Sequence, residues 1–236
     1  MTAIRLSGVT GGYGDLLVVR GVDLAIPERS LTTIIGANGA GKSTLLKLIA
    51  GLLPCRDGSI ALLGADVTRL GAIARLARGV GLVPQGRCNF PLLPVAENLR
   101  LGAFSRADRT EIDADLEKMT ARFPILRERW TTLAGNLSGG EQQLLEMAMV
   151  LMARPRVLLL DEPSLGLSPR AMDQVFAQAR ALTAEGLTIV MVEQNVAQAL
   201  EVSDAAVVLE LGRVGLHGRA DTVLHHPDIR RLFLGL

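Results

Sequence analysis

Three short stretches carry residue types and spacings suited to chemistry on a phosphorylated ligand. Gly36, Ala37, Asn38, Gly39, Ala40, Gly41, Lys42, Ser43 and Thr44 read GANGAGKST, which fills the pattern G-x-x-x-x-G-K-[ST]. Glycines at those places let backbone N–H groups turn inward around an anion, and a helix opening at Lys42 adds the positive end of its dipole. In such a loop the Lys42 ammonium reaches the outer phosphates, and the Ser43 hydroxyl takes a place on Mg²⁺. The second stretch is an apolar run, 157–160, ending in Asp161-Glu162-Pro163. A carboxylate at the end of a strand suits a Mg²⁺-nucleotide site: Asp161 for the ion, directly or through water, and Glu162 as a general base for an attacking water. The third reads LSGGEQQ over 137–143. Ser138 and Glu141 are spaced as a capping box, so a helix starts there with the first amides at Gly139 and Gly140 left uncovered. Each stretch also has a plainer reading, as a turn, a helix cap after a strand, or a capping box and nothing more. Their occurrence together favours the phosphate chemistry.

Elements that can position these residues follow from the apolar pattern. Residues 31–35 (LTTII) are short and β-branched, as in a buried strand, and Leu45, Leu46, Leu48 and Ile49 fall at helical spacing until Gly51. Residues 4–9 and 22–26 read as strands before turn residues Gly11, Gly12 and Pro27, and 59–63 and 80–83 as further strands. Between the latter two the pattern predicts a brief helix over 72–78 with Ile73 and Leu76 inward. From 89 the texture changes: Pro91 and Pro94 punctuate a loop before helical stretches at 95–101 and 111–123, an inserted helical subdomain. Strands return at 157–160, 188–192 and 206–209, with helices over 169–185 and 196–202. This alternation is that of a mostly parallel sheet covered by helices.

The totals set bounds. A chain of 236 residues is long enough for a substantial core, and one extended domain is the expectation. Lys and Arg number 25 against 24 Asp and Glu, so no overall field draws the chain to nucleic acid or an anionic membrane. Cys55 and Cys88 lie far apart without CxxC spacing, which points away from a disulfide framework or zinc and toward reduced thiols in the cytosol. The first residues lack the form of a signal peptide, and no run reaches the roughly 18–20 apolar residues that span a bilayer. At 49% hydrophobic the composition leaves apolar surface for a partner.

LSGGEQQ between the glycine loop and the Asp-Glu strand resembles the signature of ATP-binding cassette (ABC) ATPases, and the resemblance covers essentially the whole chain. It implies an α/β fold: a P-loop NTPase core with a mostly parallel sheet, an antiparallel β edge and an inserted helical subdomain. One domain over 1–236 would divide into a core lobe, 1–88 and 154–236, and a helical subdomain, 89–153. The resemblance further implies two cassettes packed head to tail around two ATP molecules, with Ser138, Gly139 and Gly140 contacting the γ-phosphate bound by the opposite subunit. Tyr13, the single tyrosine, lies where the family stacks an aromatic on adenine, although a lone surface tyrosine is ordinary. Gln85 in VPQGR matches the glutamine that reaches Mg²⁺ and water and links the site to the helical subdomain; on composition alone it is a turn residue.

Three places depart from the family pattern. Ser168 stands where many cassettes have an aspartate, and before Pro169 it also suits a helix N-cap. Gln194, in VEQN, stands where a histidine usually meets the γ-phosphate; its amide donates but carries no charge, so a weaker or differently tuned contact is expected. The loop 27–30 lacks a glycine usual there. VPQGR, DEPSLGLSP and VEQNVAQAL together look like the ATP-binding subunit of branched-chain amino-acid importers, with urea or amide importers, non-transport ABC ATPases and ATP-sensing modules as alternatives. The implied partners are a second cassette, integral membrane permease subunits and, indirectly, a solute-binding protein, at the cytoplasmic face of the membrane and without nucleic acid. Phe90, Leu92 and Leu93 suit either a docking surface for those permeases or burial under the chain's own loops.

Overall fold

In the computed structural model, which describes residues 1–233, the chain opens with β1 (Thr2–Tyr13) and β2 (Leu16–Pro27), then β3 (Leu31–Ile35) and α1 (Lys42–Ala50). β4 (Asp57–Leu62), β5 (Ala65–Asp66), α2 (Ala72–Leu76) and β6 (Val80–Val83) follow. A run of helices comes next: α3 (Val95–Gly102), α4 (Arg109–Arg122), α5 (Pro124–Glu128) and α6 (Gly139–Leu151). The chain continues through β7 (Val157–Asp161), α7 (Pro169–Ala184), β8 (Thr188–Val192), α8 (Val196–Glu201), β9 (Ala205–Glu210), β10 (Arg213–Arg219), α9 (Ala220–Leu224) and α10 (Pro227–Phe233).

Two sheets organise these elements. A six-stranded sheet has the order β10-β9-β3-β8-β7-β6, parallel throughout except for the antiparallel β9–β10 pair at one edge. Every residue of β3, β7 and β8 is buried, as expected for central parallel strands covered on both faces. Side chains alternate between the two faces. Val157 and Leu159 join Leu45, Leu46 and Ile49 of α1 in one core, while Leu158 and Leu160 join Leu145 and Met147 of α6 and Phe176 of α7 in another. The antiparallel part also includes a separate sheet. β2-β1-β4-β5 form a second sheet of four strands, and its Ile4, Leu6 and Ile26 close over α1.

Local chemistry overrides the apolar pattern in α2. Ile73 is 86% exposed and Arg75 is the buried residue, contrary to the expectation from spacing. The Arg75 guanidinium donates to the carbonyls of Leu48 and Ile49 at the end of α1, at 2.7 and 2.9 Å, and to Val67 and Leu70 at 2.8 and 2.9 Å. Those carbonyls stand in the last turn of α1, where Leu48 also accepts from the C-cap Gly51 N at 3.2 Å, and a planar fork of donors satisfies several at once. Ser168 does take the N-cap position of α7, but its side chain makes no capping hydrogen bond. In the loop 27–30, Arg29 adopts φ 56°, the left-handed conformation that glycine takes without strain.

The helical segment has its own electrostatic tie. Asp115, buried on α4, accepts from Arg106 Nη1 at 2.7 Å and Arg154 Nε at 2.6 Å, and pairs with Lys118 at 3.2 Å. Burial alone would raise its pKa, but Arg154, Arg106 and Lys118 outweigh it and hold the carboxyl at about 2. Because an unfolded aspartate titrates near 3.9, this cluster stabilises fully above about pH 4, and the contribution is lost as pH falls toward 2. Asp115→Asn is therefore expected to lower stability by about 1–3 kcal/mol at neutral pH and to flatten the loss between about pH 4 and 2. Urea titrations across that range check it.

Candidate functional site

Four adjacent strands, β3, β8, β7 and β6, end on the same edge of the sheet and each delivers one part of the site. β3 runs into Gly36–Thr44, β7 ends at Asp161 with Glu162 next, β8 is followed by Glu193 and Gln194, and β6 by Pro84 and Gln85. Gly36 is required by close approach: a Cβ there would lie 2.2 Å from the Leu209 carbonyl oxygen. Gly41, at the N-cap of α1, has φ 101°, which turns the chain into the helix as only glycine does readily. Ala37, Asn38 and Gly39 form the exposed crest, while Ala40, Lys42 and Thr44 are buried and Ser43 half-buried. Lys42 Nζ donates back to the carbonyls of Gly36 and Ala37 at 2.8 and 3.2 Å, so the ammonium lies across the loop. Burial lowers its pKa, and Glu162, Asp161 and Glu193 oppose that shift.

The two acidic residues after β7 face different partners. Asp161 Oδ1 accepts from the Ser43 hydroxyl at 2.8 Å. Its pKa is raised by burial and by the neighbouring Glu162, with the Ser43 bond acting the other way. Ser43 and Asp161 thus pair two hard oxygen donors at the mouth of the phosphate loop, the donor chemistry that fits Mg²⁺. Among the described residues there is no cluster of three or more His, Cys, Asp or Glu placed to hold a metal. Glu162 has φ 52°, a left-handed conformation rare outside glycine, and its N–H donates to the Val192 carbonyl at 2.9 Å. That geometry separates its carboxylate from Asp161. Glu162 Oε2 accepts two amide hydrogen bonds, from Gln85 Nε2 at 2.8 Å and Gln194 Nε2 at 2.7 Å.

Gln85 and Gln194 are therefore brought together on one oxygen, and Gln194 acts on a carboxylate rather than standing as an isolated donor. Tyr13, at the end of β1, is 45% exposed. Its hydroxyl accepts from Lys47 Nζ at 3.3 Å and its ring lies 5.8 Å from that ammonium, which leaves its other surface open for stacking. Ser138, Gly139 and Gly140 form the first turn of α6, closed by the capping box: Glu141 Oε2 accepts from Ser138 N at 2.7 Å, and Ser138 Oγ from Glu141 N at 3.4 Å. A Cβ on Gly139 or Gly140 would meet Leu167 or Ala171, and no atom of this chain's phosphate loop lies within 4 Å of either position.

Sequence reasoning missed two buried carboxylates beside the site. Glu146 of α6 accepts from Cys88 N and Asn89 Nδ2 at 2.9 and 2.7 Å, tying the segment after Gln85 to the helix that carries Ser138–Gly140. Its neighbour Cys88 is pushed up to about 12 by burial and by that carboxylate, so it stays a thiol. Glu193 accepts from Ser164 and from Gln194 N. Burial raises its pKa, and the Ser164 bonds oppose the shift. The only signal for it was an acidic residue standing at the very end of an apolar strand.

A phosphate loop, a paired Asp-Glu strand end and a capped LSGG tip on this sheet define an ATP-hydrolysing cassette. A family model described as "ABC transporter" matches residues 19–165, and the chain belongs to that family of ATP-binding proteins. It is 40% identical over 223 residues, 94% of this chain and 95% of the relative, to the high-affinity branched-chain amino acid transport ATP-binding protein BraG of Pseudomonas aeruginosa. It is 39% identical over 234 residues, 99% of each chain, to the probable branched-chain amino acid transport ATP-binding protein LivF of Archaeoglobus fulgidus. Among solved structures, a nucleotide-free ATP-binding cassette from an ABC transporter superposes with a TM-score of 0.88 at 25% identity, covering 97% of both chains.

The double clamp on Glu162 has a kinetic consequence. Gln85→Ala and Gln194→Ala are each expected to lower kcat for ATP hydrolysis about tenfold to a hundredfold, from loss of one bond to a charged group. KM for ATP should change less than about threefold, since the lost contact is to Glu162 rather than to nucleotide. Steady-state kinetics check this; a Gln194→Ala variant with raised KM and unchanged kcat would assign that amide to the nucleotide instead.

Proposed function

We propose that this chain is the ATP-hydrolysing subunit of an importer for branched-chain or related amino acids, working at the cytoplasmic face of the membrane on separate permease subunits. The observation that carries the reading is identity of 40% and 39% to two branched-chain amino acid transport ATP-binding proteins over nearly their full lengths. No helix among the described residues is long and apolar enough to cross a membrane. Phe90 and Leu92, five and seven residues beyond Gln85, are 48% and 83% exposed, which supports a docking face there over burial under the chain's own loops. A solute-binding protein would be reached only through the permease. The chain acts as a single cassette, with residues 89–153 moving as a helical lobe on a core of 1–88 and 154–236.

The residues divide the work as follows. The amides of Gly36–Thr44 and the Lys42 ammonium cradle the phosphates of ATP, and the Tyr13 ring stacks on adenine. Ser43 and Asp161, with Gln85 nearby, would hold Mg²⁺, which when bound neutralises charge on the phosphates. Glu162 accepts the proton of the attacking water, with Gln85 and Gln194 fixing the direction of its carboxylate. Ser138, Gly139 and Gly140 offer their amides to nucleotide held by a second cassette, because in their own chain they lie against Leu167 and Ala171. Hydrolysis then lets the two cassettes part.

In cells lacking this chain, uptake of radiolabelled leucine, isoleucine and valine is expected to fall to background, to return with the parent sequence and to stay low with Lys42→Ala. Normal uptake of all three with a loss of urea or short-amide uptake would replace the amino-acid reading by the amide one.

A further inference from the structure

Glu193 makes no hydrogen bond to the phosphate loop or to Glu162, yet it is 1% exposed and its carboxylate oxygens are engaged. Oε1 accepts from Ser164 N at 2.9 Å; Oε2 accepts from Ser164 Oγ at 2.8 Å and from Gln194 N at 3.1 Å. A carboxylate this deep is costly unless saturated in this way, and its partners define what it joins. On one side is the backbone of Gln194, whose side chain holds Glu162. On the other is Ser164, which opens a turn closed by Leu167 N donating to the Ser164 carbonyl at 3.1 Å. That turn leads to the tip of α6. A Cβ on Gly139 would lie 3.5 Å from Leu167, and one on Gly140 only 2.7 Å from the Ala171 side chain, so the start of α7 and the tip are in contact without slack.

We propose that Glu193 is a positioning residue that couples a chain's own hydrolytic carboxylate to the Ser138–Gly140 tip the same chain presents to a second cassette. The inference rests on the two-cassette reading above. Through Ser164 and the 164–171 segment, Glu193 fixes where the tip stands, and through Gln194 it fixes the donor on Glu162. Packed segments of this kind transmit displacement because dense interiors do not deform smoothly. Glu193 thereby acts on two different nucleotides: the one bound in its own chain and the one bound opposite.

The test uses pairs of differently tagged full-length copies in which a single composite site survives. One copy carries Gly139→Asp and keeps its phosphate loop and Glu162; the other carries Lys42→Ala and keeps its tip. The mixture is expected to hydrolyse ATP where neither copy does alone. No activity in that mixture would overturn the two-cassette reading, and the proposal with it. With that activity in hand, Glu193→Ala is placed only in the Lys42→Ala copy, whose own Glu162 serves the disabled site. The proposal expects hydrolysis at the surviving site to fall about tenfold, the scale of one or two lost hydrogen bonds. Glu193→Gln, able to keep both Ser164 contacts, should restore most of it. Ser164→Ala in that copy removes the Oγ bond from the other end and should lower the rate in the same direction, so a poorly folded Glu193→Ala does not decide the matter. Undiminished hydrolysis with melting-competent Glu193→Ala or with Ser164→Ala overturns the proposal.

Discussion

The two glutamine amides on Glu162 Oε2 are the constraint around which the site is built. Gln85, Glu162 and Gln194 follow three neighbouring strands, and three donors and acceptors from separate strand ends meet within hydrogen-bond distance only if the strands keep their register. The parallel ladders of β6, β7 and β8 provide that register. The wholly buried strands β7 and β8, apolar but for Asp161 and Thr188 at their ends, hold it between α1 on one side and α6 with α7 on the other. The left-handed backbone at Glu162 is then tolerated, because its N–H is held by Val192 and its side chain by two amides.

Charge in the site is arranged for a ligand that brings its own. Lys42 is buried beside Asp161, Glu162 and Glu193, which favour its charged form against the cost of desolvation. The same burial disfavours ionised Asp161. Asp161, Glu162 and Glu193 stand near the Lys42 ammonium, with Lys47 also acting on Asp161, and amides of a glycine-rich loop opening a helix turn positive ends toward a phosphate. Ser43 and Asp161 would hold a divalent cation whose charge would favour the ionised form of Asp161, which is the physical case for Mg²⁺ there.

Local chemistry was legible in the sequence, and distant partners were not. The phosphate loop, the Asp161-Glu162 pair and the Ser138–Glu141 capping box each lie within a few consecutive residues, so spacing alone reveals them. β3, β6 and β8 were readable to the residue because short, mostly apolar and β-branched runs between turn residues admit little else. Arg75 was not, since the carbonyls it satisfies are up to 27 positions away, and periodicity made Ile73 the inward residue. The partner of Gln194 was hidden in the same way, 32 positions upstream. Its type signalled a missing positive charge, but only the fold showed which group its amide holds. The polar strand β10, which alternates exposed and half-buried residues, lacked the apolar run that betrayed the others.

The central claim is that Glu162, held by two amides, is the base that activates water for ATP hydrolysis. Phosphate release by purified Glu162→Gln, measured beside ATP affinity on the same preparation, tests it most directly. The account predicts a rate lower by about 10² to 10⁴, the range typical of general-base catalysis, with ATP bound within about threefold of the parent affinity, since Glu162 is not a phosphate ligand. Release at the parent rate with ATP still bound would contradict it.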